Sequence, residues 1–172
     1  SNTQSCMSCS AENTIFHEDI NGQPMDAGPQ GEYGFVRDET DFIFKSEFDI
    51  WSYNLASKTL KSLTNGEGMK RNIELDLVKW SNDSIYIDLA DCYIKGFNKT
   101  TKGFHLFSFY NENGEFGLFE QKNDNAKLMS LERSKNKETL LLRKMTVSQY
   151  PEIILVNKFF QNERTISHTN SQ

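Results

Sequence analysis

The chain has 172 residues, enough for one domain of ordinary size and too few for two. Hydrophobic residues make up 37%, a modest share, yet Phe (13), Tyr (6) and Trp (2) supply enough large rings for a core, which excludes a disordered chain. The net charge of −5, with 19 Lys and Arg scattered among 24 Asp and Glu, leaves no basic face for phosphates, so no nucleic acid is expected as partner; no apolar run approaches the ~20 residues of a membrane span, so no membrane crossing is expected either.

Residues 1–34 read as an irregular polar lead, with membership of an earlier repeat unit as the alternative. It holds four of the ten glycines and two of the three prolines, the composition of loops and turns, and SNTQSCMSCS lacks the charged and apolar regions of an export signal. Cys6 and Cys9 form a lone CxxC, with Cys92 far away in an apolar stretch. Three cysteines do not make a disulfide framework, and a structural zinc wants four ligands where His17 is the only nearby addition. The expectation is a flexible lead with free or adventitiously paired thiols.

From residue 35 the texture changes to short apolar runs separated by turn signals. FVRD, DFIFK, DIWSYNL and TLKSLT come first, then IELDLVKW, SIYIDLAD, CYIKGFN, FHLFSFY, EFGLFE, ETLLLRKMTV, EIILVN and RTISH. Between them lie TNGEG, NKTTKG, NENG, KNDN and RSKNK. Many short strands at even spacing predict an all-β fold. Period two is clear at Ile73, Leu75 and Leu77, and at Ile85, Ile87 and Leu89; Phe104, Leu106 and Phe109 are read as one face, as are Phe116 and Leu118. Residues 49–64 read as a hairpin turning at 56–58. Residues 127–145 would also suit a helix, but two strands with a turn at 135–137 are expected. Pro151 is expected at the start of its strand, where no ladder N–H is lost, and Trp51 is expected to be largely buried.

Chemistry-bearing residues offer no constellation. No glycine pair brackets a serine as G-x-S-x-G, so there is no nucleophile elbow. Of His17, His105 and His168, only His168 adjoins a hydroxyl, at Ser167, and adjacent strand positions face opposite ways. His105 is expected to be solvated or paired across strands. Asp83, Asp88 and Asp91, and Glu112, Glu115 and Glu120, cluster in sequence, but proximity alone does not give the carboxyl separation that glycoside hydrolysis needs, and solvated faces and turn-forming Asp are expected. KNDNAK lacks the glycine and terminal Glu of a calcium loop. The expected assignment is therefore no catalytic, cofactor-binding or metal site. Trp51, Trp80, Tyr86, Tyr93, Phe107 and Tyr110 read as core filler before they read as a sugar platform. Asn82 and Asn98 head sequons that matter only in a secretory setting.

Three stretches carry a resemblance: FDIWSYNLASKTLKSLTNGEGMKRNI (48–73), KGFNKTTKGFHLF (95–107) and LLLRKMTVSQYPEIILVNKFFQNERTISHTNSQ (140–172). Together they are similar to the N-terminal β-propeller of prolyl oligopeptidase-type serine peptidases. Two features depart from that pattern. Ser171 stands where the family often has Pro, and the Trp-x-Tyr-Glu-Glu run that anchors a substrate amino terminus in one branch is absent, so dipeptidyl cleavage is not implied. The family's α/β-hydrolase domain has no counterpart in these residues.

The resemblance implies a partial β-propeller of about three antiparallel four-stranded blades over 35–172, since a blade takes ~40–50 residues and closed propellers need at least four. It further implies a non-catalytic segment that shields a serine-peptidase active site and restricts it to short peptides. Its partners would be the parent's hydrolase domain and peptides, in a periplasmic or extracellular setting. An arc of three blades leaves uncovered faces, so self-association is expected. The competing expectation is a free-standing β-domain that binds carbohydrate or protein.

Overall fold

The computed structural model describes residues 6–80, 86–112 and 115–167. The fold is all-β, with 48% strand and 5% helix. Alternating apolar residues and frequent turn formers produce a succession of short strands: β1 (Glu32–Val36), β2 (Asp41–Lys45), β3 (Ile50–Asn54) and β4 (Leu60–Ser62). A single helical turn, α1 (Glu67–Arg71), leads to β5 (Ile73–Val78) and β6 (Tyr86–Ile87). The remaining strands are β7 (Tyr93–Asn98), β8 (Phe104–Glu112), β9 (Glu115–Asp124), β10 (Lys127–Arg133), β11 (Thr139–Met145), β12 (Glu152–Asn157) and β13 (Arg164–Thr165). Residues 127–145 are thus two strands with a turn between them. Pro151 sits immediately before β12 and takes no donor from its ladder.

The strands form three sheets, ordered β4-β3-β2-β1-β6, β5-β7-β8-β9 and β10-β11-β12-β13. Each contains a four-stranded antiparallel meander. Among the described residues the sheets close into neither a barrel nor a complete propeller ring. The first sheet departs from the expected four antiparallel strands, because β6 adds to it parallel to β1, with Phe35 opposite Tyr86 and Val36 opposite Ile87. The run through Leu89 is shorter than its period suggested. Asp88 accepts a hydrogen bond from the Ala90 N–H and starts a 3-10 turn at Leu89–Asp91, a local side-chain bond that competes with the ladder. Ile85 lies outside the described residues.

Two apolar clusters show how the sheets stack. The first joins Ile43, Ile50 and Leu63 to Ile73, Leu75, Leu77, Ile94 and Phe107, and so lies between the first and second sheets. The second joins Phe104 and Leu106 to Leu140, Leu142, Ile154 and Val156, between the second and third. The middle sheet is therefore covered on both faces. Strand β8 serves both: Phe104 and Leu106 point one way, Phe107 and Phe109 the other. Phe109 does not share the face of Phe104 and Leu106, because strict alternation along β8 puts odd positions opposite even ones. The irregularity falls instead in β9, where the register shifts between the Leu106–Lys122 and Phe107–Glu120 pairs.

The lead is irregular but docked. Cys6 and Cys9 are joined by a disulfide. Phe16 packs against Phe44 and Trp51, with ring centroids 5.6 and 5.4 Å away. Backbone bonds from Glu47 N–H to Ile15 O and from Gln30 N–H to Phe16 O fix the segment over the first sheet.

Candidate functional site

The residues singled out in the sequence fall into structural roles. Ser167 accepts the Ile153 N–H at 2.7 Å and so tethers β12, while His168 lies outside the described residues. His17 is exposed and shares an isolated bridge with Pro29. His105 is paired with Glu120, Nδ1 to Oε1 at 2.6 Å, and stacks on Phe107. Arg71 reaches the other Glu120 oxygen at 2.8 Å. Burial would raise the Glu120 pKa, but His105, Arg71 and Asn123 outweigh it and hold the carboxyl below its ordinary value.

Asp91 clamps Arg133 at 2.6 Å and Lys137 at 2.7 Å, tying the 3-10 turn to the third sheet. Asp83 lies outside the described residues, and no group of three or more His, Cys, Asp or Glu among the described residues could hold a metal ion. Cys92 is half-buried, and burial followed by the charges of Asp88 and Asp91 pushes its thiol up to about 12. A thiol so rarely ionised is a poor nucleophile. Asn98 spends its side-chain oxygen on the N–H groups of Thr100 and Thr101, both at 2.9 Å. Asn82 lies outside the described residues.

Two of the recesses among the described residues are lined from more than one sheet. One, of about 960 Å³, opens between the first and second sheets and is lined by Thr40, Asp41, Asn54, Ser57 and Tyr110. The Tyr110 ring lies against Gly117, so close that any Cβ there would strike it, and the side chain is half exposed. Asp41 is already satisfied, accepting from Ser52 at 2.7 Å and Thr40 at 2.8 Å.

The other recess, of about 470 Å³, lies where the leading strands β5 and β10 of the second and third sheets approach. Lys45, Lys79, Lys95 and Lys127 line it, together with Asp76 and the apolar Phe97, Leu128 and Met129. Period two explains the lining, since the face of β5 opposite Ile73, Leu75 and Leu77 turns Glu74 and Asp76 outward. Asp76 takes Lys95 at 3.0 Å, Lys45 at 3.8 Å and the Tyr33 hydroxyl. Burial would raise its pKa, but the Tyr33 hydrogen bond and the two ammonium groups hold it below the usual carboxylate range. Burial and the Asp76 charge push the Tyr33 phenol the other way, upward. That phenol also accepts the Leu77 N–H at 3.1 Å, and Phe48 O accepts the Leu75 N–H at 3.0 Å. Two outward donors of edge strand β5, the N–H groups of Leu75 and Leu77, are thereby satisfied.

Sequence reasoning missed this recess because its lysines come from three separate strands, β2, β7 and β10, and from the residue that follows β5. A clearer signal was available for Asp49, which the hairpin reading passed over. It is buried and accepts from the Thr64 hydroxyl at 2.6 Å and from the N–H groups of Gly68 and Met69 at 3.0 and 3.1 Å. Asp in the DIW run and Thr-Asn-Gly-x-Gly after the hairpin are the two halves of that arrangement. Compared with protein-family models, curated proteins and solved structures, the chain matches none.

Proposed function

We propose that the chain is a non-catalytic segment of the β-propeller of a prolyl oligopeptidase-type serine peptidase, whose role in the intact protein is to shield the hydrolase active site and admit only short peptides. The observation that carries this reading is the order of the sheets. Three four-stranded meanders follow one another along the chain, and the middle one is packed face to face against both neighbours, as consecutive blades are. The Asp49 arrangement adds a physical reason for the DIW and TNG residues on which the resemblance rests.

The test is the reading frame past the codon for Gln172. The proposal expects G-x-S-x-G, then Asp, then His, in the order of an α/β-hydrolase, and a stop codon there overturns it. Covalent labelling of the 172-residue chain by a serine-directed fluorophosphonate would contradict its non-catalytic role. A second reading, a free-standing carbohydrate-binding domain, is favoured by the exposed Tyr110 ring above a groove of hydroxyl and amide groups. Loss of oligosaccharide binding in Tyr110→Ala distinguishes it.

A further inference from the structure

The chain carries a net charge of −5, yet the recess between β5 and β10 gathers four lysines against two carboxylates. The acidic side is largely occupied. Glu74 is bound to Lys99 at 3.0 Å, a residue outside the recess lining, and Asp76 is held by Lys45, Lys95 and Tyr33. Lys79 uses one of its three donors on the Tyr33 carbonyl. No carboxylate among the described residues lies within ion-pair distance of Lys127, which is exposed at the start of β10. Beside these ammonium groups stand Phe97, whose ring meets Lys102 at 5.6 Å, and Met129, both substantially exposed, with Leu128 half-buried against the second apolar cluster. The lining thus combines surplus positive charge with a partly open apolar wall. An inorganic anion would use the first and leave the second wet, whereas a carboxylate attached to apolar side chains uses both.

We propose that this recess binds the C-terminal carboxylate of a short apolar peptide, with Lys79 and Lys127 meeting the carboxylate and Phe97, Leu128 and Met129 receiving the adjoining side chains. The assignment deepens the peptidase reading and takes from it only the class of ligand.

The experiment titrates the 172-residue chain, labelled for amide NMR, with N-acetyl-Ala-Leu-Phe as free acid, with its C-terminal amide, and with inorganic phosphate. The free acid is expected to bind at least about tenfold more tightly than the amide, weakening as salt is added, with shifts at Phe97 and at residues 127–131. The double variant Lys79→Gln/Lys127→Gln should lose the preference for acid over amide, and Lys70→Gln, on α1, should keep it. Should the double variant fail to fold, Lys127→Gln alone serves, since that side chain holds no described carboxylate. Equal affinity for acid and amide, equal displacement by phosphate, shifts centred elsewhere, or a preference that survives the substitutions would each overturn the proposal. The titration reads the recess in this chain alone, so its failure leaves the propeller reading intact, and a stop codon after Gln172 leaves its result intact.

Discussion

Asp49 joins three pieces of chain through one side chain. Its carboxylate holds the Thr64 hydroxyl at the end of the hairpin and two N–H groups of α1, and the same hydroxyl accepts the Ile50 N–H at 3.2 Å. Gly68 has no room for a side chain, because a Cβ would run into Phe48 O. Replacing Asp49 by Ala leaves a buried hydroxyl, a buried amide and a partly buried amide without an acceptor, and is expected to cost about 3 kcal/mol, read as a lower denaturant midpoint at unchanged slope. A loss below about 0.5 kcal/mol, the range of ordinary surface changes, would show the arrangement to be incidental. Trp51 corrects an expectation. It is half-buried rather than largely buried, lying under Phe16 of the lead and donating Nε1–H to Ser46 at 3.0 Å. Trp51→Ala should therefore cost about 2 kcal/mol, less than the ~3–5 of a fully buried ring. Deleting residues 6–28 should leave little further loss for that substitution to cause.

Strands with a strict period of two, such as β5, could be read from the sequence because each buries one face. The run that holds β6 was legible too, but its parallel pairing with a distant strand and its end after two residues were not, since Asp88 stops it with a local bond. Nor was the recess, because Lys45, Lys79, Lys95 and Lys127 each look like an ordinary solvated position until the sheets stack. The elements are also tied by carboxylates held below their ordinary values: Asp76 between the first and second sheets, Asp91 between the 3-10 turn and the third sheet, Glu120 beside Arg71 and His105, and Glu163 beside Lys122 and Lys144. A carboxylate whose folded-state pKa is depressed stabilises the fold above its unfolded value and loses that contribution as pH falls through the folded value. Stability should thus hold above about pH 5 and decline below about pH 4, the ordinary carboxylate range. Asp76→Asn should flatten that decline. An unchanged acid profile in the variant would remove Asp76 from the account.

At the scale of the molecule, two sheet faces lack a covering layer of their own kind. The first sheet exposes Phe35 and is only partly covered by the lead, while the third sheet carries half-buried Leu141, Ile153 and Leu155 opposite the cluster of Leu142 and Ile154. Apolar residues on an uncovered sheet face favour association, and light scattering at micromolar concentration is expected to show dimers or larger assemblies. A well-behaved monomer would count against the open-arc reading. The enclosed middle sheet has the opposite consequence. Strands β7 and β8 are paired along both edges and pack into an apolar cluster on each face, so in deuterated water their bonded amides exchange only when a flanking strand has come away. Deuterium should enter β4 and β13 first and β7 and β8 last, with the slowest amides reporting the free energy of global opening. The chain should therefore unravel from its two ends inward, and protection strongest in β2 or β12 would reverse that order.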